Sequence, residues 1–71
     1  MTEMTPVESS NISEVGYDPE RAELQVRFKS SPRVYVYQGV SQEVFARLMA
    51  SPSKGGFVNR EIKNVYPFHI A

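Results

Sequence analysis

Eight consecutive residues, Ala22 to Lys29, alternate without a break: Ala22, Leu24, Val26 and Phe28 are apolar, while Glu23, Gln25, Arg27 and Lys29 are polar. A period of two is that of an extended chain whose successive side chains point to opposite faces, so this segment is a β-strand with one dry and one wet face. Such strands belong to antiparallel sheets, which need hairpin partners on either side and a cover for the dry face.

Both partners are visible. Upstream, Asn11 to Tyr17 holds Ile12, Val15 and Tyr17. Ile12 is out of phase with the other two, and a bulge at Gly16 would restore the phase. The stretch Tyr17-Asp18-Pro19-Glu20-Arg21 then reads as a turn, because Asp suits the first position of a type I turn and proline presets the second. Downstream, Ser30-Ser31-Pro32 makes the next turn, and Arg33 to Gln38 is β-branched and aromatic through its middle. Either Tyr35 and Tyr37 face the core with Val34 and Val36 outward, or the valines pack and the tyrosines form an exposed pair. Large rings dominate a thin core, which favours the buried tyrosines.

The cover comes next. Ser41 is placed to cap a helix over Gln42 to Ala50, with Val40 and Phe45 spaced as a hydrophobic staple. Val44 with Leu48 and Phe45 with Met49 repeat at four residues, giving one apolar stripe toward the sheet. Pro52 stops that helix. Ser53 opens a second, shorter one running through Phe57 to Ile62, although Gly55 and Gly56 each cost about 1 kcal/mol in a helix interior and demand a compensating gain. Val65 to Ile70 is an extended aromatic segment expected to lie across the sheet or complete the core. Met1 to Ser10 has a proline, small polar residues and no periodicity, so it reads as a flexible arm preceding a domain of residues 11–71. The expected fold class is α+β: an antiparallel three-stranded β-meander followed by one amphipathic helix and a short second helix or turn, in a single small domain.

At 71 residues the chain has no room for a second domain, and it buries only about 60% of the surface its unfolded form exposes. It has no cysteine, which removes disulfides, thiolate nucleophiles and sulfur-ligated zinc. Four Tyr and four Phe must build the core, or self-association must help. No run approaches the roughly 20 apolar residues of a membrane span, and Met1 to Ser10 lacks the basic start and apolar run of a signal peptide. A cytoplasmic protein without membrane contact is expected.

Catalysis finds little to work with. The single histidine, His69, stands two residues from the chain end and reads as a surface residue, the carboxylates sit beside turns or on a wet strand face, and no metal-ligand spacing occurs. Neither an enzyme nor a cofactor or metal site is expected. A pocket of a few hundred Å³ also has little volume to occupy in so small a domain. Net charge is zero but unevenly spread. Residues 1–20 hold five acidic and no basic groups, whereas residues 21–71 hold eight basic against three acidic. Ser53-Lys54-Gly55-Gly56 has the chemistry of a weak anion site and equally that of a plain inter-helix turn. Arg27, Lys29 and Arg33 flank one turn, and Arg60 and Lys63 follow the glycines; on one side of the molecule they would form a basic strip with a tyrosine between them, suited to backbone contacts and base stacking.

The order of motifs is itself informative: Ser9-Ser10-Asn11-Ile12, Gly16-Tyr17-Asp18, Leu24-Gln25-Val26-Arg27-Phe28, Tyr35-Val36-Tyr37, Val40 with Val44, Ser53-Lys54-Gly55 with Phe57, Asn59 and Ile62, and Tyr66-Pro67. Together they resemble the KTSC domain, a small module at the C-terminus of some lysyl-tRNA synthetases that also occurs as stand-alone bacterial and phage proteins. The resemblance spans about residues 8–70. One departure is Gly56-Phe57-Val58-Asn59, where family members often place two aromatics, or one, directly before the Asn; Val58 then stands as an insertion that shifts the phase of Asn59. The resemblance carries no established activity with it, and only by association implies RNA. The expected function is therefore a non-enzymatic binding module for protein–protein contact or self-association as a homodimer, through an unpaired strand edge or exposed residues such as Val34 and Val36. The alternative is an RNA- or tRNA-binding accessory domain, with Arg27, Lys29, Arg33, Lys54, Arg60 and Lys63 on phosphates and an exposed Tyr35 or Tyr37 stacking on bases.

Overall fold

The computed structural model describes residues 4–71. Its sheet has five antiparallel strands in sequential order: β1 (Thr5–Pro6), β2 (Ile12–Asp18), β3 (Glu23–Phe28), β4 (Val34–Gln38) and β5 (Phe68–Ile70). Between β4 and β5 run α1 (Gln42–Ala50), α2 (Lys54–Phe57) and a π-helical turn over Val58–Ile62. The fold is α+β, but the sheet has five strands where three were expected, with β1 and β5 added at the edges of β2 to β4.

Both extra strands are too short to show a period. β1 lies inside the stretch read as an arm, where Thr5 pairs with Val15 and Pro6 with Glu14; residues 1–3 of that arm lie outside the described residues. The Val7 N–H continues the pairing onto the Ser13 carbonyl at 3.3 Å. β5 is the extended aromatic tail, which pairs beside β4 rather than crossing the sheet. The bulge in β2 is also displaced, falling between Ile12 and Glu14 and not at Gly16, which pairs regularly with Gln25. That shift is what lets Ile12 and Val15, three residues apart, both point inward.

The turns use local side chains. Asp18 Oδ1 accepts the Glu20 and Arg21 N–H groups at 3.0 and 3.4 Å. Ala22, expected as the first residue of the alternation, instead ends the hairpin turn in the left-handed region with φ 54°. Its carbonyl receives the Val40 N–H at 2.8 Å, tying the turn to the exit of β4.

Register then sorts the faces. Leu24 sits between Tyr17 and Tyr37, and Val26 between Val15 and Tyr35, so one face carries the apolar members of each strand. Tyr37 is buried and Tyr35 half-buried on that face, as the large-ring preference anticipates. Val36, on the opposite face, is nevertheless covered by its neighbours. Arg27 keeps the wet face and pairs with Glu14 directly across from it, Nη1 to Oε1 3.1 Å.

The helices close the dry face over β2 to β4. Ser41 Oγ accepts the Val44 N–H at 3.3 Å as the cap of α1. Leu48 is fully buried, while Phe45 is half-buried and stacks on Tyr17 with centroids 4.8 Å apart. The Tyr17 hydroxyl donates to the Val40 carbonyl, and partial burial with Asp18 beside it raises its pKa. Phe57, Val58 and Ile62 complete the core from the second helical segment. No helix among the described residues is long and apolar enough to cross a membrane.

Candidate functional site

The helices stop short of one end of the sheet. There the apolar face runs on as a chain of rings: Phe28 lies edge-on to Tyr35 at 5.4 Å, and Phe68 lies 5.5 Å from both Tyr35 and Tyr37. Tyr37 forms the floor, and burial followed by the neighbouring Tyr35 phenol raises its pKa. Together with Ser30, Ser31 and Lys63 these rings line a groove of about 220 Å³. At its outer side Phe68 and Ile70 of β5 are 50% and 43% exposed.

Beyond Phe28 the groove opens into a polar cleft of about 430 Å³, with Phe28, Ser30 and Lys63 shared between the two. Its polar rim is Ser10, Asn11, Lys29, Ser30, Asn59 and Lys63. The volume is open surface between elements rather than space inside the core, which is how so short a chain comes to have it. Among the described residues no carboxylate lines it.

Three local features build this cleft. Ser9 Oγ accepts the N–H groups of Asn11 (3.3 Å) and Ile12 (3.2 Å), folding the chain before β2 into a tight turn. That turn docks on Gly55: a Cβ there would stand 3.2 Å from Asn11 Nδ2 and 3.4 Å from Asn11 Cβ. This close approach is the gain that offsets a glycine in α2. The third feature is the π-helical turn, closed by the Lys63 N–H on the Val58 carbonyl at 2.7 Å. A π-turn accommodates one extra residue. Val58 and Ile62 enter the core from this turn, and Asn59 and Lys63 line the cleft.

Part of the expected basic strip lies together: Lys29 lines both the cleft and an open hollow beside the β3–β4 turn that Arg27 also lines. Lys29 and Lys63 meet at the cleft, with Tyr35 in the adjoining groove. Arg27 belongs to the wet sheet face with Glu14. Lys54 Nζ donates to the Ser51 carbonyl at 3.1 Å, and the Arg60 guanidinium lies along Gly56. Arg33 is exposed in the β3–β4 turn, away from cleft and groove. Tyr37, at 1% exposure, offers no face for stacking. The Ser53 start of α2 is an ordinary capped turn, since Ser53 Oγ and O take the Gly56 and Phe57 N–H groups at 3.3 and 2.9 Å.

Ser10, Asn11, Ser30 and Asn59 were not among the sequence candidates for the site, nor were Phe28, Phe68 and Ile70. For Asn11 the signal was Gly55, whose cost required something to approach it closely.

The KTSC domain family model matches residues 8–66 of the chain. The chain belongs to the KTSC domain family. Among its relatives, a Tsukamurella paurometabola protein is 47% identical over 60 residues, covering 84% of this chain and 88% of that one. An uncharacterized protein of Stutzerimonas stutzeri is 39% identical over 57 residues, covering 80% and 79%. The crystal structure of a KTSC domain protein from Yersinia pestis superposes with a TM-score of 0.94 at 31% identity, over 100% of this chain and 99% of that one. The KTSC fold is thus a small α+β domain, and these relatives bring no activity with them.

Proposed function

We propose that this KTSC domain is a non-catalytic module for protein–protein contact, and that its simplest form is the pairing of two copies through β5. The observation that carries this is the condition of the β5 edge. The Gln38 N–H bonds the Pro67 carbonyl and the Ala71 N–H bonds the Val34 carbonyl, each at 2.9 Å. By the two-residue period, Pro67, His69 and Ala71 turn their backbone groups inward to β4, and Phe68 and Ile70 turn theirs outward.

An outward edge of this kind is a template for another strand, and monomeric sheets blunt it with charge, proline or brevity. The opposite edge is blunted so: β1 is two residues long and contains Pro6. β5 is also short, three residues following Pro67, but it has no proline or charged side chain within it, and both of its large apolar residues are exposed. A two-fold axis at His69 would pair Phe68 of each copy with Ile70 of the other, satisfying both residues' N–H and C=O groups at once. Zero net charge leaves no long-range repulsion between copies.

Light scattering over a concentration series up to about 1 mM is the test, because a small interface gives affinities in the micromolar to millimolar range. Twice the monomer mass is expected. Ile70→Pro removes one outward N–H and Ile70→Lys adds a guarding charge; both should restore the monomer mass with little change in Tm. His69→Pro removes an inward N–H instead and should loosen β5 from the sheet. A wild-type chain that stays monomeric throughout discards the paired form. Salt-sensitive RNA binding in the same buffers would favour the nucleic-acid alternative, which is supported by Arg27, Lys29, Lys63 and Tyr35 lying in adjoining hollows.

A further inference from the structure

The polar cleft lies apart from the β5 edge and has a chemistry of its own. Its rim side chains, those of Ser10, Asn11, Lys29, Ser30, Asn59 and Lys63, take part in no hydrogen bond or ion pair within the chain among the described residues. Arg27 Nη1 and Lys54 Nζ, by contrast, already have partners, although Arg27 Nε is buried without one. Two ammonium groups, two amides and two hydroxyls thus converge on one concavity with no carboxylate among them, while Phe28 supplies an apolar floor that continues into the aromatic groove. Donors that gather without an internal acceptor match an oxyanion, and a ring beside them matches a flat body attached to it.

We infer that this cleft binds a small organic anion. Its phosphate or carboxylate lies between Lys29 and Lys63, with Asn11 and Asn59 donating to it, and its flat or apolar body rests on Phe28 toward Tyr35. The site does not depend on pairing through β5, since none of its rim residues belongs to that strand. The Gly55 contact and the π-turn position Asn11, Asn59 and Lys63 around the cleft.

The test is amide NMR of the full chain at constant ionic strength, with ligands that share one ring. Phenyl phosphate and benzoate carry both halves, inorganic phosphate and acetate the anion alone, and benzamide the body alone. Saturable shifts are expected at Asn11, Lys29, Ser30, Asn59 and Lys63 for one or both of the first pair, with at least about tenfold weaker binding by either half, and phenyl phosphate against benzoate distinguishes the two anions. Lys63→Gln and Lys29→Gln should each weaken binding about tenfold, as expected for loss of one charge-assisted contact. Asn59→Asp, an exposed change that leaves the fold intact, should abolish it. Linear, chloride-like shifts, saturation centred on other residues, or unchanged affinity in both lysine variants would overturn the site. Lys29 and Asn59 share neither the groove nor any other hollow with Phe68, unlike Lys63, so the scattering mass should not change in Lys29→Gln or Asn59→Asp, and failure here and failure of the pairing are separable.

Discussion

Ala22 is the described non-glycine residue with positive φ, and the conformation has a cost. A left-handed residue brings Cβ toward its own carbonyl, worth about 1–2 kcal/mol for an L-residue. Glycine avoids that at the expense of unfolded-state entropy, so Ala22→Gly should raise stability by about 0.5–1 kcal/mol in urea unfolding. Unchanged or lower stability would mean that the Ala22 methyl has a packing role outweighing the strain. Gly55 poses the opposite question. Alanine gains about 1 kcal/mol of helix propensity there, but its Cβ must push aside Asn11. Tm should therefore move little while the Asn11 amide resonance shifts strongly; an unmoved Asn11 would show that the close approach does not position it. The sequence marks Gly55 as a glycine that needs a reason but does not name Asn11 as that reason, and it does not mark Ala22 at all. Ala22 fitted the alternation of β3 although it lies in the turn, because a period of two does not show where the ladder begins.

Elements with a long, regular period were legible: β3, β4 and α1 lie where alternation, β-branching and the Ser41 cap place them. β1 and β5 were not, because two or three residues cannot display a period and their pairing is decided by partners elsewhere in the chain. The site was less legible still. Its rim comes from the turn before β2, the end of β3 and the π-turn, so Asn11, Lys29 and Lys63 meet only after the fold is made. Within α1 the apolar stripe is real but uneven. Leu48 is fully buried, so Leu48→Ala should cost about 2–5 kcal/mol. Phe45 keeps one side in solvent and stacks on Tyr17, so Phe45→Ala should cost less than the usual 3–5 kcal/mol, about 2. Equal losses in chemical denaturation would show that the Tyr17–Phe45 stack is as tightly integrated as the core beneath it.

At the scale of the molecule, one sheet face serves two purposes: α1, α2 and the π-turn seal it over β2 to β4, and toward β5 it stays open as an aromatic groove. Tyr37 lies where the sealed and open parts meet, buried beneath Phe68, and its phenol and that of Tyr17 both titrate above the usual tyrosine range. The folded chain therefore holds two protons that the unfolded chain releases once pH passes about 10. Wherever the folded state binds more protons than the unfolded one, stability falls as pH rises. This contribution is complete below about pH 10 and is lost as pH climbs through the raised values, so urea midpoints measured from about pH 8 to 11 should decline on the alkaline side. The informative quantity is the difference between variants. Tyr37→Phe keeps the ring contacts with Tyr35 and Phe68 but has no proton to lose, and its decline should be shallower than that of the wild type. Parallel profiles would mean that Tyr37 ionises as freely in the folded chain as in the unfolded one, and that water already reaches the floor of the groove.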